Sequence, residues 1–205
     1  MNNIIPLPVP IRNITIKKPP DFEVIYPSVE LTNKVIENKI NQIIINNVNK
    51  LIAEQGYASN PNMQIKGSYE IKTNERNILS LILLSYSYAG GAHGYTLIEP
   101  LTFDVKTGNV IPFDKLFIEG TPYYEELSEI IKKQIESRQM PILGGFNRLP
   151  PDPDFYIADK SLVIFFQLYE LAPYAQGFPA FPISLYEIKN LIGEDSILRR
   201  MMTFY

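Results

Sequence analysis

"ILSLILLSYSYAGGAHGYTLIEPLTFDV", residues 78–105, decides the fold. Residues 78–88 are a long apolar run of strand character. Tyr95, Leu97, Leu101, Phe103 and Val105 then fall on alternate positions, the period of two that turns one face of a strand to a core. A glycine-rich corner lies between them. Upstream, "MQIKGSYEI" (63–71) sets Met63, Ile65, Gly67, Tyr69 and Ile71 on one face of another strand, and the turn-rich "TNERN" (73–77) joins it to the apolar run as a hairpin. Downstream, "DVKTGNVI" (104–111) is a hairpin signature in which Gly108 supplies the left-handed residue of a tight bulged turn. Residues 63–112 therefore read as an antiparallel meander.

The flanks add helices. Leu31, Val35, Ile36, Ile40, Ile43, Ile44, Val48, Leu51 and Ile52 recur at helical spacing, with Asn, Lys and Glu on the other face and Gly56 as the stop. Ahead of that helix, "FEVIYP" (22–27) reads as a short strand. The first 20 residues carry Pro6, Pro8, Pro10, Pro19 and Pro20, which makes them an extended lead-in with an edge strand at 11–16. A second helix is expected from Thr121 as N-cap and Pro122 as first helical residue, with Tyr124, Leu127, Ile131 and Ile135 as its apolar side. "LGGFNRLPPDPD" (143–154) is a loop by composition. "FYIADKSLVIFFQLYE" (155–170) reads as strand, tight turn, strand, its second arm central in a sheet. Ser184 and Glu187 form a capping box for a short helix "LYEIKNLI" that Gly193 ends. The expected class is α+β: an antiparallel sheet built from hairpins, packed against two longer helices and one short C-terminal helix.

Composition excludes several functions. With 45% apolar and 20% charged residues, 205 residues bury a core without covalent staples. The net charge is −3 and the basic residues are scattered, so the chain lacks the concentrated basic face that nucleic acid requires. There is no cysteine, which removes disulfides, thiolate metal sites and cysteine nucleophiles. No apolar run approaches the ~20 residues that span a bilayer. "MNNIIPLPVP" is no signal peptide, so either the protein is cytosolic or the sequence begins after a signal or anchor.

His93 is the only histidine. A catalytic zinc site takes about three His, Cys or carboxylate ligands, and one histidine without cysteine makes that set unusual; no calcium loop is present either. No metal and no cofactor are expected. Serine chemistry would need a G-x-S-x-G elbow, which is absent, although Ser85 and Ser87 precede the corner. "GGAHG" leads into a strand rather than a helix N-terminus, so it is no phosphate cradle. Two readings stand: Gly90, Gly91 and Gly94 permit positive φ at a sharp corner where His93 bonds a backbone carbonyl or a tyrosine, or His93 contacts a ligand. "YELAPYAQGFPAFPI" (169–183) gathers Tyr169, Tyr174, Phe178 and Phe181 with Glu170 and Gly177; it is either a recognition surface or the lid of the core.

"YAGGAHGYTLIEPLTFDVKTGNVIPFDKLF" (88–117) and "FYIADKSLVIFFQLYELAPYAQGFPAFPI" (155–183) together resemble the C-terminal part of the PdaC/RsiV-like extracytoplasmic domain pair. The matching elements are the G-G-A-H-G turn with its F-D-x-x-T-G hairpin, the L-F before a helix, and Y-E-x-A-P-Y-x-x-G. "FEVIYPSVEL" and "ENKINQII" are similar to the companion domain. The resemblance covers about residues 20 to 185. Behind the proline-rich extended segment at 1–20, it implies a companion subdomain at 21–75 and an RsiV-like α+β domain at 76–205. It also implies a bacterial binding and sensing module of the cell envelope. Family members recognise lysozyme or accompany a cell-wall enzyme whose metal-dependent deacetylase activity sits in a separate domain. The expected partners are therefore lysozyme, another cell-envelope protein or peptidoglycan. The expected contact residues are His93, Tyr95, Tyr169, Glu170, Tyr174 and Phe178, with no catalytic residue. The alternatives are a hydrolase using His93 and a purely structural module of a larger assembly.

Overall fold

The computed structural model describes residues 7–60 and 62–202, so the first six residues of the expected lead-in lie outside the described residues. Among the described residues, nine strands and three α-helices follow one another as β1 (Ile11–Lys18), β2 (Phe22–Val29), α1 (Lys34–Glu54), β3 (Gln64–Glu75), β4 (Ile78–Tyr88), β5 (Tyr95–Asp104), β6 (Asn109–Val110), α2 (Tyr123–Ser137), β7 (Phe155–Ala158), β8 (Ser161–Phe165), β9 (Ala180–Ser184) and α3 (Ile197–Met202). The class is α+β. Two compact units part between Val110 and Ile111.

The first unit is one six-stranded sheet in the order β1-β2-β3-β4-β5-β6. The meander β3 to β6 is antiparallel throughout. Arg76 and Asn77 carry the β3–β4 turn at φ 54° and 59°, the pair of positive angles that a two-residue hairpin loop demands. Lys72 is the extra residue of a bulge where pairing passes from Ile71↔Leu81 to Thr73↔Ser80. One pair is not a hairpin: β2 runs parallel to β3, Phe22 to Val24 beside Ile65 to Gly67, and α1 is the crossover that joins them.

Asn33 caps α1, its side-chain oxygen accepting from the Val35 and Ile36 amides. Gly56 ends the helix at φ +78°. Ile40, Ile44, Val48 and Leu51 are buried and join Phe22, Ile65, Leu81, Leu83, Leu101 and Phe103 in a single core. Val35, expected on the buried stripe, is 78% exposed because it lies in the first turn, outside the rows that meet the sheet.

The expected boundary after residue 75 falls at the β3–β4 turn. These strands pair from Gln64↔Tyr88 to Glu75↔Ile78, so a cut there would divide adjacent strands of one sheet; the observed division at Val110/Ile111 leaves the sheet whole.

The second unit holds the three-stranded sheet β7-β8-β9, with β8 central and buried on both faces. The edge strand β9 is covered by α2: Gln134 Nε2 donates to the Pro182 carbonyl at 2.9 Å and Arg138 Nη1 to the Ala180 carbonyl at 2.8 Å. Edge carbonyls that would template aggregation are thereby occupied.

Two helix termini differ from expectation. Thr121 does not cap α2; its hydroxyl donates back to the Ile118 carbonyl at 2.7 Å, and α2 begins at Tyr123 after Pro122. Residues 185–192 form turns and a single 3-10 turn at Lys189–Leu191. The short C-terminal helix is α3 instead, started by Ser196, whose Oγ accepts from the Leu198 amide. Leu185, Ile188, Leu191 and Ile192 behind the capping box are buried at helical spacing, yet so short a segment closes only single turns.

Candidate functional site

The first unit places the glycine corner at the β4–β5 end of its sheet. Gly90 and Gly91 have φ of +93° and +117°, angles that side chains rarely adopt. Gly94 is different: its φ is not positive, and a Cβ there would fall within the Tyr86 ring. Glycine at 94 makes room for the end of the Tyr86 ring and is not called for by backbone angle. Gly108 combines both causes, with φ +70° and Ile36 Cγ2 only 3.2 Å from where a Cβ would stand.

His93 is exposed, and its Nδ1 lies 2.9 Å from the Gly94 carbonyl. A carbonyl only accepts, so Nδ1 carries the proton in that bond. Tyr95 is 36% exposed at the start of β5. The corner is held from below by Gln55, which no motif marked. Its Nε2 donates to the Ser85 carbonyl at 2.5 Å and the Tyr95 carbonyl at 3.3 Å, and its Oε1 accepts from Ser87 at 2.5 Å. The only sequence signal for Gln55 is its place at the end of α1, just before Gly56. Ser85 and Ser87, the hydroxyls nearest the corner in sequence, are buried on β4.

Beside the corner, Asp21, Asn60, Asn62, Met63, Gln64 and Tyr88 line a cleft of about 530 Å³, within the size range of small-molecule sites. His93 is not among its walls. Among the described residues, no group of three or more His, Asp or Glu side chains converges to hold a metal.

The second unit carries the aromatic loop. Leu168, Leu171 and Ala172 are buried and fix it, while Tyr169 between them is 49% exposed. Glu170, also exposed, closes a turn: its carboxylate accepts from the Gln167 amide at 2.8 Å. Tyr169 sits at φ +65°, a left-handed angle costing a non-glycine residue about 1–2 kcal/mol. Its ring meets that of Tyr174 at 5.7 Å. Gly177 turns the chain at φ +66°, ψ −132°, after which Phe178 is half-buried. Phe181 is fully buried, packed on Phe166 at 5.8 Å. The stretch therefore divides: Phe181 belongs to the core, and Tyr169 with Tyr174 forms a surface pair.

A six-stranded sheet under one long helix is followed in sequence by a three-stranded sheet with its own helices, and each of these two parts is similar to a known family. Residues 17–96 match the family described as Deacetylase PdaC, and residues 114–186 match Protein of unknown function (DUF3298). Among curated relatives, the chain is 28% identical over 185 residues to the anti-sigma-V factor RsiV of Bacillus subtilis, covering 82% of this chain and 64% of that protein. It is 32% identical over 103 residues to the esterase Rv3036c of Mycobacterium tuberculosis, covering 46% of this chain and 43% of the relative. A third relative, the peptidoglycan-N-acetylmuramic acid deacetylase PdaC of Bacillus subtilis, is 21% identical, with 65% of this chain and 30% of the relative covered. The chain thus spans less than two thirds of the length of each. Crystal structures of DUF3298-family proteins from Bacteroides fragilis and Pseudomonas aeruginosa share the fold, with TM-scores of 0.70 and 0.72 at 15% and 13% identity. They cover 95% and 97% of this chain, and the chain covers 97% and 98% of them.

Proposed function

We propose that this chain is a non-enzymatic binding and sensing module of the cell envelope, docking a protein or envelope ligand through the loop from Tyr169 to Phe178. Tyr169 carries the reading. A bulky side chain is held half-exposed in a costly backbone conformation, on a loop pinned by buried neighbours on both sides. Strain of that kind persists only where the surrounding structure over-determines it, and it clusters at ligand clamps and binding sites. Tyr174 shares its surface, and Glu170 and Phe178 flank the pair. His93 and Tyr95 are the contact residues proposed on the other unit. The relatives support an envelope setting: one is an anti-sigma factor, another acts on peptidoglycan. Among the described residues no helix is long and apolar enough to cross a membrane.

Lysozyme and peptidoglycan fragments are the ligands to test by titration calorimetry. The informative variant is Tyr169→Gly, which deletes the ring and relieves the backbone. It should unfold no more easily than the parent, yet bind more than tenfold more weakly, as loss of an interface anchor does. Absence of heat with either ligand sinks the reading, and full affinity in Tyr169→Gly moves the contact elsewhere. A hydrolase using His93 has one observation in its favour, the esterase relative. Turnover of p-nitrophenyl acetate that His93→Ala abolishes would establish it in place of the binding reading.

A further inference from the structure

We propose that the cleft beside the glycine corner binds a neutral saccharide. The sheet itself assembles it. Gln64 opens β3 directly opposite Tyr88 at the end of β4, and the Ile65 amide bonds the Asp21 carbonyl at 2.9 Å, so three strand ends form one ledge. Met63, 8% exposed, is the apolar floor. The walls are the side chains of Asp21, Asn60, Asn62 and Gln64. Among the described residues these four make no hydrogen bond to the rest of the protein, so their bonding capacity is spent on solvent or a ligand. Tyr88, 37% exposed, is steadied by its hydroxyl, which donates to the Gly91 carbonyl at 3.0 Å.

The donor set selects the ligand. One carboxylate accepts only, whereas three carboxamides both donate and accept. Sugar hydroxyls also do both, and a polyol can therefore satisfy all four groups at once. A tyrosine ring supplies an apolar face for sugar C–H groups. Among the described residues no lysine or arginine lines the cleft, and Asp21 repels anions, so phosphorylated or acidic ligands are disfavoured. A lone carboxylate falls short of the oxygen cage that calcium takes. An apolar ligand would leave four polar groups unpaired.

This site belongs to the first unit and the docking loop to the second, and it is tested by its own readout. Uniformly labelled full-length protein would be titrated with chitotriose, maltotriose, glucose 6-phosphate and calcium chloride, following amide and carboxamide resonances. One or both neutral trisaccharides should shift the side-chain amides of Asn60, Asn62 and Gln64 and the backbone at 88–91, leaving residues 169–178 still. Asn62→Ala, an exposed side chain whose loss leaves the fold intact, should weaken that binding about five- to tenfold. Silence with both trisaccharides, shifts confined elsewhere, equal response to glucose 6-phosphate, or response to calcium alone each overturn the proposal.

Discussion

Two glycines four residues apart are constrained by unrelated physics. At Gly90 nothing lies within 4 Å of a built Cβ, so an alanine there meets only the cost of φ +93°. At Gly94 the backbone angle is ordinary and the Tyr86 ring occupies the space. Gly90→Ala should cost about 1 kcal/mol through its backbone. Gly94→Ala should cost about 1–3 kcal/mol through overpacking, unless the ring yields. Urea denaturation of a double-mutant cycle separates them. Tyr86→Ala should recover part of the Gly94→Ala loss and none of the Gly90→Ala loss, because only the former pair competes for one volume. Equal rescue at both positions would refute the distinction. Positive φ, expected from the sequence as the reason for all three glycines of this corner, holds at Gly90 and Gly91; at Gly94 the reason is the close approach of Tyr86, which depends on the β4–β5 register.

The same contrast holds for whole elements. The apolar period of two at β3 and β5, the apolar run of β4 and the helical stripe of α1 survive folding, because burying apolar surface is the main stabilising contribution each of them makes. The parallel pairing of β2 with β3 was not legible. It depends on where the chain returns after α1, and the contact that permits it is Gly67 against Val24: a Cβ at 67 would come within 2.6 Å of Val24 Cγ1. Termini were read less well, since Thr121 and Ser184 have capping chemistry that the local backbone uses for turns. The start of α1 was anchored by residues no pattern stressed. Asn33 caps it, and Glu37 reaches back to accept from the Leu31 amide at 2.6 Å and the Lys34 ammonium at 2.8 Å. The Lys34 ammonium first, and the Leu31 amide next, hold the Glu37 carboxyl below the usual carboxylate range. A carboxyl whose folded pKa is lowered stabilises the fold above its unfolded pKa and loses that contribution as pH falls toward the folded value. Glu37→Gln should therefore lower the melting temperature at neutral pH and converge with the parent in acid, whereas Asn33→Ala should cost about 1 kcal/mol at both. A Glu37→Gln deficit that persists undiminished at low pH would show that the carboxylate charge is not the cause.

For the whole molecule, the decisive question is where one folding unit ends. The motif resemblance placed a boundary after residue 75, since the recognisable corner and hairpin lie beyond it. Core packing places it after Val110: β4 and β5 supply Leu79, Leu81, Leu83, Leu101 and Phe103 to the core that α1 covers, and the core cluster runs from Val9 to Val105. A fragment comprising residues 1–75 would keep α1 and three strands but lose those five side chains, leaving the apolar face of the helix without its partner. A fragment comprising residues 1–110 retains the full six-stranded sheet. The shorter fragment should show no cooperative transition and should bind hydrophobic dyes, whereas the longer should unfold in a single sigmoidal step by circular dichroism. Each strand of the sheet is marginal without its neighbours, which is why the 35 further residues should convert a collapsed chain into a folded one. Cooperative folding of 1–75, or its absence in 1–110, would return the boundary to the hairpin turn.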